Sequence, residues 1–179
     1  MRPGRPIAVA VAALLVAAPG AAATKPADTF AGSCEAQVLV RNDPPMSSTI
    51  TDTRIDITTR RATCTGTVTR GNGVHQVDAA PTTGHLQGFG PSSCLVSSTS
   101  GSGYFTIDRR WRIDFTYDEP RLGPVGTLTW FGAAGGSATD VARLSQDEDP
   151  FDIVQRCGAE GVPEVLVDVT IATTPSISG

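Results

Sequence analysis

From Cys34 onward, apolar residues recur at every second position, and that period limits the chain to a β-sheet architecture. Between Arg110 and Tyr117 the alternation is unbroken. Trp111, Ile113, Phe115 and Tyr117 fall on one face, and Arg110, Arg112, Asp114 and Thr116 on the other. A strand points successive side chains to opposite sides of its sheet, so this pattern describes a half-buried antiparallel strand. The next segment, Val125 to Phe131, sets Leu128 and Trp130 against Val125, Thr127, Thr129 and Phe131. Glu119 to Pro124 lies between them and holds two prolines and a glycine, which suits a hairpin loop.

The same logic predicts strands over Glu35–Arg41, Arg54–Thr58, Ala62–Arg70, Val74–Asp78, His85–Phe89, Cys94–Ser98, Gly103–Asp108, Ser137–Leu144 and Glu164–Thr173. Asn72-Gly73 is the best hairpin signal, because both residues tolerate positive φ. The glycine-serine stretch Ser97–Gly103 reads as a flexible turn, and Gly135-Gly136 as a tight one. One segment reads as helical: Asp149 as N-cap, Pro150 at the first helical position, and Cys157-Gly158 at the end. Phe151, Ile153 and Val154 are expected to face the core. About ten short strands with regular turn signals predict a single all-β domain. The favoured form is an antiparallel meandering β-barrel with one short helix near the C-terminus; a β-sandwich is the alternative. Seven of the ten aromatic residues lie between Tyr104 and Phe131, which places the largest part of the core there.

The first 23 residues have the form of an export leader: Arg2 and Arg5, the apolar run Ile7–Ala18, Pro19-Gly20, then Ala21-Ala22-Ala23 as a cleavage site. The apolar run is shorter than the roughly 20 residues that span a bilayer, and no transmembrane segment is expected later. Removing 23 of 179 residues leaves 156, the size of one domain. Residues 24–33 are expected to form a flexible arm, and 34–179 the β domain. The leader holds two of the 14 basic residues, so 12 remain against 18 acidic ones, a net charge of −6. Such a balance argues against nucleic acid as a partner. Cys34, Cys64, Cys94 and Cys157 lack the paired short spacings of a zinc site. In an exported chain they form two disulfides. Cys34–Cys64 with Cys94–Cys157 is favoured, since each pair would join nearby strands of an up-and-down order.

No constellation of catalytic residues emerges. His75 and His85 sit in strand-like segments, with Asp78 close to His75, and no Gly-x-Ser-x-Gly elbow accompanies them. Asp147, Glu148, Asp149 and Asp152 cluster as calcium ligands do, but their spacing fits no EF-hand loop, and acids at a helix start meet the positive end of its dipole. Arg60-Arg61 and Arg109, Arg110 and Arg112 would form a basic patch only if their strands were neighbours. Asp114, Asp118 and Glu119 cluster near one strand end, where sequence cannot give the spacing a glycosidase pair needs. No metal, cofactor or catalytic residue is therefore assigned. Trp111, Phe115 and Trp130 are the candidates to line a ligand site.

Thr63-Cys64-Thr65-Gly66, Gly135-Gly136-Ser137-Ala138, Asp149-Pro150, Cys157-Gly158, Gly161 and Ile177-Ser178-Gly179 together resemble a group of small exported actinobacterial proteins of unassigned function. The resemblance implies an exported β domain held by disulfides. It transfers no active residue, because glycine, proline and cysteine carry backbone geometry. The expected function is a secreted, non-catalytic domain that binds a small apolar ligand, a glycan or a protein partner at the cell surface. A secreted hydrolase acting on cell-wall or ester substrates is the alternative. A pocket lined by Trp and Phe would favour binding; a histidine joined to both a serine and an acid would favour catalysis.

Overall fold

The computed structural model describes residues 26–122 and 126–179. These form β1 (Asp28–Met46), β2 (Thr51–Arg70), β3 (Gly73–Ser92), β4 (Val96–Ile107), β5 (Trp111–Leu122), β6 (Gly126–Gly132), β7 (Gly135–Leu144), α1 (Pro150–Gly158) and β8 (Val162–Ser178). Each strand pairs antiparallel with the next, and β8 returns to pair with β1, closing an up-and-down barrel. Closure removes the sheet edge, which a sandwich would have kept. The proposed leader and Val125 lie outside the described residues.

The strands are fewer and longer than the sequence pattern suggests, and two bulges explain most of the difference. On β2, Arg60 is an extra residue: Gln37 pairs with Arg61 but Val38 with Thr59. Arg60 and Arg61 are both exposed, and the alternation changes phase across them. One strand therefore reads as two, Arg54–Thr58 and Ala62–Arg70. On β3, Cys64 pairs with Ala80 but Gly66 with Val77, so Asp78 and Ala79 together oppose Thr65. Ala79 takes φ 45°, and its N–H donates to Thr65 Oγ1 at 3.0 Å. This bulge separates the expected strands Val74–Asp78 and His85–Phe89.

Other boundaries move for local reasons. The expected arm 24–33 is in large part strand, because Asp28–Ser33 pairs with Thr65–Arg70. Ser97–Gly103 is not a turn but the first half of β4, paired with β5 throughout and with β3 at Ser97 and Ser100–Gly103. Its glycines serve close approach: a Cβ on Gly101 would meet the Gln87 carbonyl, the Gly88 Cα and the Tyr117 ring. The Tyr117 ring thus covers the gap that the glycines leave. The β2–β3 hairpin turns at Gly71-Asn72, one residue earlier than expected, with Gly71 at φ 56°. β5 continues through Glu119 to Leu122, where a loop was expected.

The strand ends form two rims of different character. One rim carries the short β2–β3, β4–β5 and β6–β7 connections and the paired ends Asp28 and Gly179, whose backbones exchange two hydrogen bonds. Inside it, Phe30, Val68, Ile107, Ile113 and Ile177 are wholly buried and plug the barrel. The buried Asp28 carboxylate accepts from Nε and Nη2 of Arg70 and from the Arg112 N–H, and Arg70 Nη2 also donates to the Arg110 carbonyl. The other rim carries longer connections and α1. Inward positions are those the alternation assigned: Trp111, Ile113, Phe115 and Tyr117 on β5, Leu128 and Trp130 on β6.

Trp111→Ala should lower unfolding stability by about 3–5 kcal/mol in chemical denaturation, because the ring is part of the plugged end. Gly101→Ala should destabilise by about 1–3 kcal/mol through overpacking. A tolerated Gly101→Ala would contradict the close β3–β4 approach.

Candidate functional site

Above the plug the barrel is incompletely filled. A cavity of about 310 Å³ lies beneath α1, walled by Val40, Ile55, Leu86, Tyr117, Leu128 and Val165. A smaller void of about 90 Å³ lies deeper, beside Phe105, Phe115 and Trp130 and the Cys34–Cys64 bridge. Val40, Ile57, Leu86, Leu128 and Val167 border both spaces, which makes them one apolar column. An eight-stranded barrel is just wide enough for its own side chains or one small ligand. Here valines and leucines line the wide part, and the bulky aromatics sit below. Phe115 and Trp130 stack with centroids 4.3 Å apart. The buried Asp140 carboxylate at this level accepts from the Trp130 indole N–H at 3.0 Å and the Leu128 N–H at 3.3 Å.

The helix forms part of the chamber's roof. Asp149 caps it, accepting from the Phe151 N–H at 2.9 Å, and Pro150 opens it without wasting a donor. Three attachments hold it on the rim. The Cys94–Cys157 disulfide ties it to the β3–β4 connection. The Ser48 N–H donates to the Cys157 carbonyl at 3.1 Å. The Glu148 carboxylate accepts from the Leu166 N–H at 2.7 Å and lies 4.0 Å from Arg156. The disulfide pairing is the one strand order favoured. Cys34–Cys64 joins directly opposed residues of β1 and β2, but Cys94–Cys157 joins a loop to a helix, not two strands. The expectation that Phe151 and Val154 face the core fails: they are 80% and 71% exposed. A helix resting on a rim buries only a narrow edge, so Ile153 is partly covered and Phe151 points to water.

Asn42, on β1, is a residue the sequence reading passed over. Val38, Val40 and Asn42 share the inward face, and Asn42 is 6% exposed at the chamber wall. Its Nδ2 donates to the Val162 carbonyl at 3.2 Å. Its Oδ1 is the one buried side-chain polar atom without a hydrogen-bond partner among the described residues. Leaving such an acceptor unmet costs about 1–3 kcal/mol. The available signal was a polar residue at an inward register position, hidden because the predicted strand stopped at Arg41.

Of the three aromatics proposed to line a site, Phe115 and Trp130 border the deeper void. Trp111 lies at the plugged end, its ring 5.4 Å from that of His75. His85 bonds Asp56 at 2.9 Å, and its ring meets Tyr104 edge-on. Among the described residues no serine hydrogen bonds either histidine. The arginine groups do not merge, because β3 and β4 separate β2 from β5. Arg112 instead lies 3.8 Å above the Tyr104 ring and bonds Asp114. Each acid of the 147–152 cluster has a local task. Asp147 accepts from Gln37, Asp149 caps the helix, and Asp152 bonds Arg156 at 2.8 Å. Among the described residues no group of three His, Cys, Asp or Glu side chains is placed to hold a metal.

The fold and chamber define a class: a closed β-barrel with an apolar interior, sealed at one end and roofed by a tethered helix. Comparison with protein-family models, curated proteins and solved structures found no match that would narrow this class further.

Two outcomes are expected from this arrangement. Replacing Cys94 and Cys157 together by serine should remove about 2–4 kcal/mol of stability and speed amide exchange in α1 while the barrel strands stay protected. Burial raises the Asp56 carboxyl, but the hydrogen bonds from His85 and Gln87 and the charges of His85 and Arg41 outweigh it, holding Asp56 below its ordinary range. A depressed folded value stabilises above the unfolded carboxylate pKa and is lost as pH falls through the folded one. Asp56→Asn should therefore lower stability at neutral pH, with the difference from the native chain vanishing in acid.

Proposed function

We propose that this chain is an exported, non-catalytic binding domain that carries a small apolar molecule inside its barrel. The observation that carries the reading is the cavity of about 310 Å³ with a largely aliphatic wall. Its volume falls at the lower end of the range for small-molecule sites. Side chains fill the opposite end of the same barrel to wholly buried packing, so the space under α1 is local and not a general looseness of the core.

Export is supported by the leader-like first 23 residues and by two disulfides, which persist in oxidising compartments. Polar residues dominate the outer wall and apolar ones the interior, the reverse of a membrane-spanning barrel. Among the described residues no helix is long and apolar enough to cross a membrane. The His85–Asp56 pair belongs to a polar outer face with Gln87, which favours carriage over hydrolysis as the role of the chamber.

Naphthalene titrated into the purified protein should bind saturably at one site. At a free concentration a hundredfold above Kd it should stabilise the fold by about 2.7 kcal/mol. Val40→Phe, which fills the chamber, should weaken binding at least tenfold while unfolding stays cooperative. Absence of saturable binding to the native chain would reject the proposal.

A further inference from the structure

We infer that the Cys94–Cys157 disulfide is the latch of the chamber: oxidised, it holds α1 across the opening, and reduction by a dithiol frees the helix and lets the occupant exchange. This rests on the proposed carriage of an apolar molecule and adds the route and the control of its release.

The bridge stands in the wall between occupant and solvent. Both of its cysteines border the cavity under α1, and both are partly exposed. Their neighbours share this double position. Leu95 follows Cys94, and Val154 lies about one turn before Cys157. Each lines the cavity, yet Leu95 is 70% exposed and Val154 71%. Residues that touch both chamber and water mark where the two communicate. The doorway therefore lies between α1 and the β3–β4 connection, and the bridge spans it.

The helix depends on this link at one end. Before its first turn, the chain is anchored without sulfur. Gln37 Nε2 donates to Ser145 Oγ and Asp147 Oδ2, both at 2.8 Å, and the Glu148 carboxylate accepts from the Leu166 N–H. At the last turn, Cys157 supplies both the disulfide and the carbonyl that accepts from Ser48. No residue of α1 is fully buried, and nine residues are too few for a helix to persist unaided. Opening thus breaks a few discrete contacts and leaves the barrel core intact.

The other bridge is placed oppositely. Cys34 and Cys64 are 3% and 0% exposed, so a thiolate reaches their sulfurs only if the barrel itself opens. Reduction is thereby confined to the latch. One thiolate of the dithiol attacks a sulfur of Cys94–Cys157 to form a mixed disulfide, and its second thiolate resolves it. Two electrons pass to the bridge, two protons end on the Cys94 and Cys157 sulfurs, and the dithiol leaves as its own disulfide.

The test loads the full chain, both bridges formed, with naphthalene. Release on dilution is followed by stopped-flow fluorescence before and after dithiothreitol under native conditions, and alkylation with mass spectrometry locates the free thiols. Cys94 and Cys157 alone should become alkylated, and release should quicken roughly tenfold or more. Replacing Cys94 and Cys157 together by serine should give the fast rate without dithiothreitol and no further response to it. Unchanged release after reduction of Cys94–Cys157 overturns the latch and leaves carriage standing. Prior reduction of Cys34–Cys64, or loss of the β-sheet circular-dichroism spectrum on reduction, overturns it as well. If naphthalene does not bind the oxidised chain, carriage falls and the latch with it. Should the double variant not fold, the reduced native chain decides the question.

Discussion

Pairing of β1 with β8 is the constraint from which the rest of the structure follows. Once those strands join, every inward side chain shares one narrow space, and the interior volume is set by strand number and not by the residues that must fill it. The inward set is then sufficient at one end and insufficient at the other. Phe30, Ile107 and Ile177 close the lower end, while valines and leucines leave room above. Asp28 faces Arg70 across the β1–β2 ladder, and closure brings it to Arg112 on β5, so a buried carboxylate is answered from two strands. Such an ion pair is costly to break and only modestly favourable to form, which suits a fixed seal more than a source of stability.

The two ends divide the labour of the barrel. At the sealed end the connections are tight hairpins, and the chain's described ends are bonded to each other. At the other end the connections lengthen, and β7 and β8 are joined through a helix that crosses the opening. That helix buries none of its residues fully. Its place on the rim comes from a disulfide, one backbone hydrogen bond from Ser48 and the Glu148 carboxylate. These are discrete attachments and not a packed interface, and they let a roof be held without filling the chamber beneath it.

Much of the architecture was legible along the chain. The Trp111–Tyr117 alternation assigned the inward face of β5 correctly, and Leu128 with Trp130 did the same for β6. Asp149-Pro150 marked the helix start because capping is a local matter of one side chain and one N–H. The strand breaks at Arg60-Arg61 and Asp78-Ala79 were misread, because a bulge changes the phase of alternation without ending the strand. Ser97–Gly103 looked like a turn because a glycine's role in close strand approach depends on the neighbour across the ladder. Tyr117 lies fourteen or more residues further on and gives no local sign of covering it.

The amino-acid order by itself determined the period of two, the polar outer face, the capped helix and the oxidation-ready cysteines. Each of these depends on residues within a few positions or on composition. Tertiary structure alone decided that Trp111 plugs an end, that Phe115 and Trp130 border a void, and that the buried Asn42 oxygen is left without a hydrogen-bond partner. Empty space and an unmet acceptor are properties of what several distant strands fail to supply, and a single segment carries no record of that.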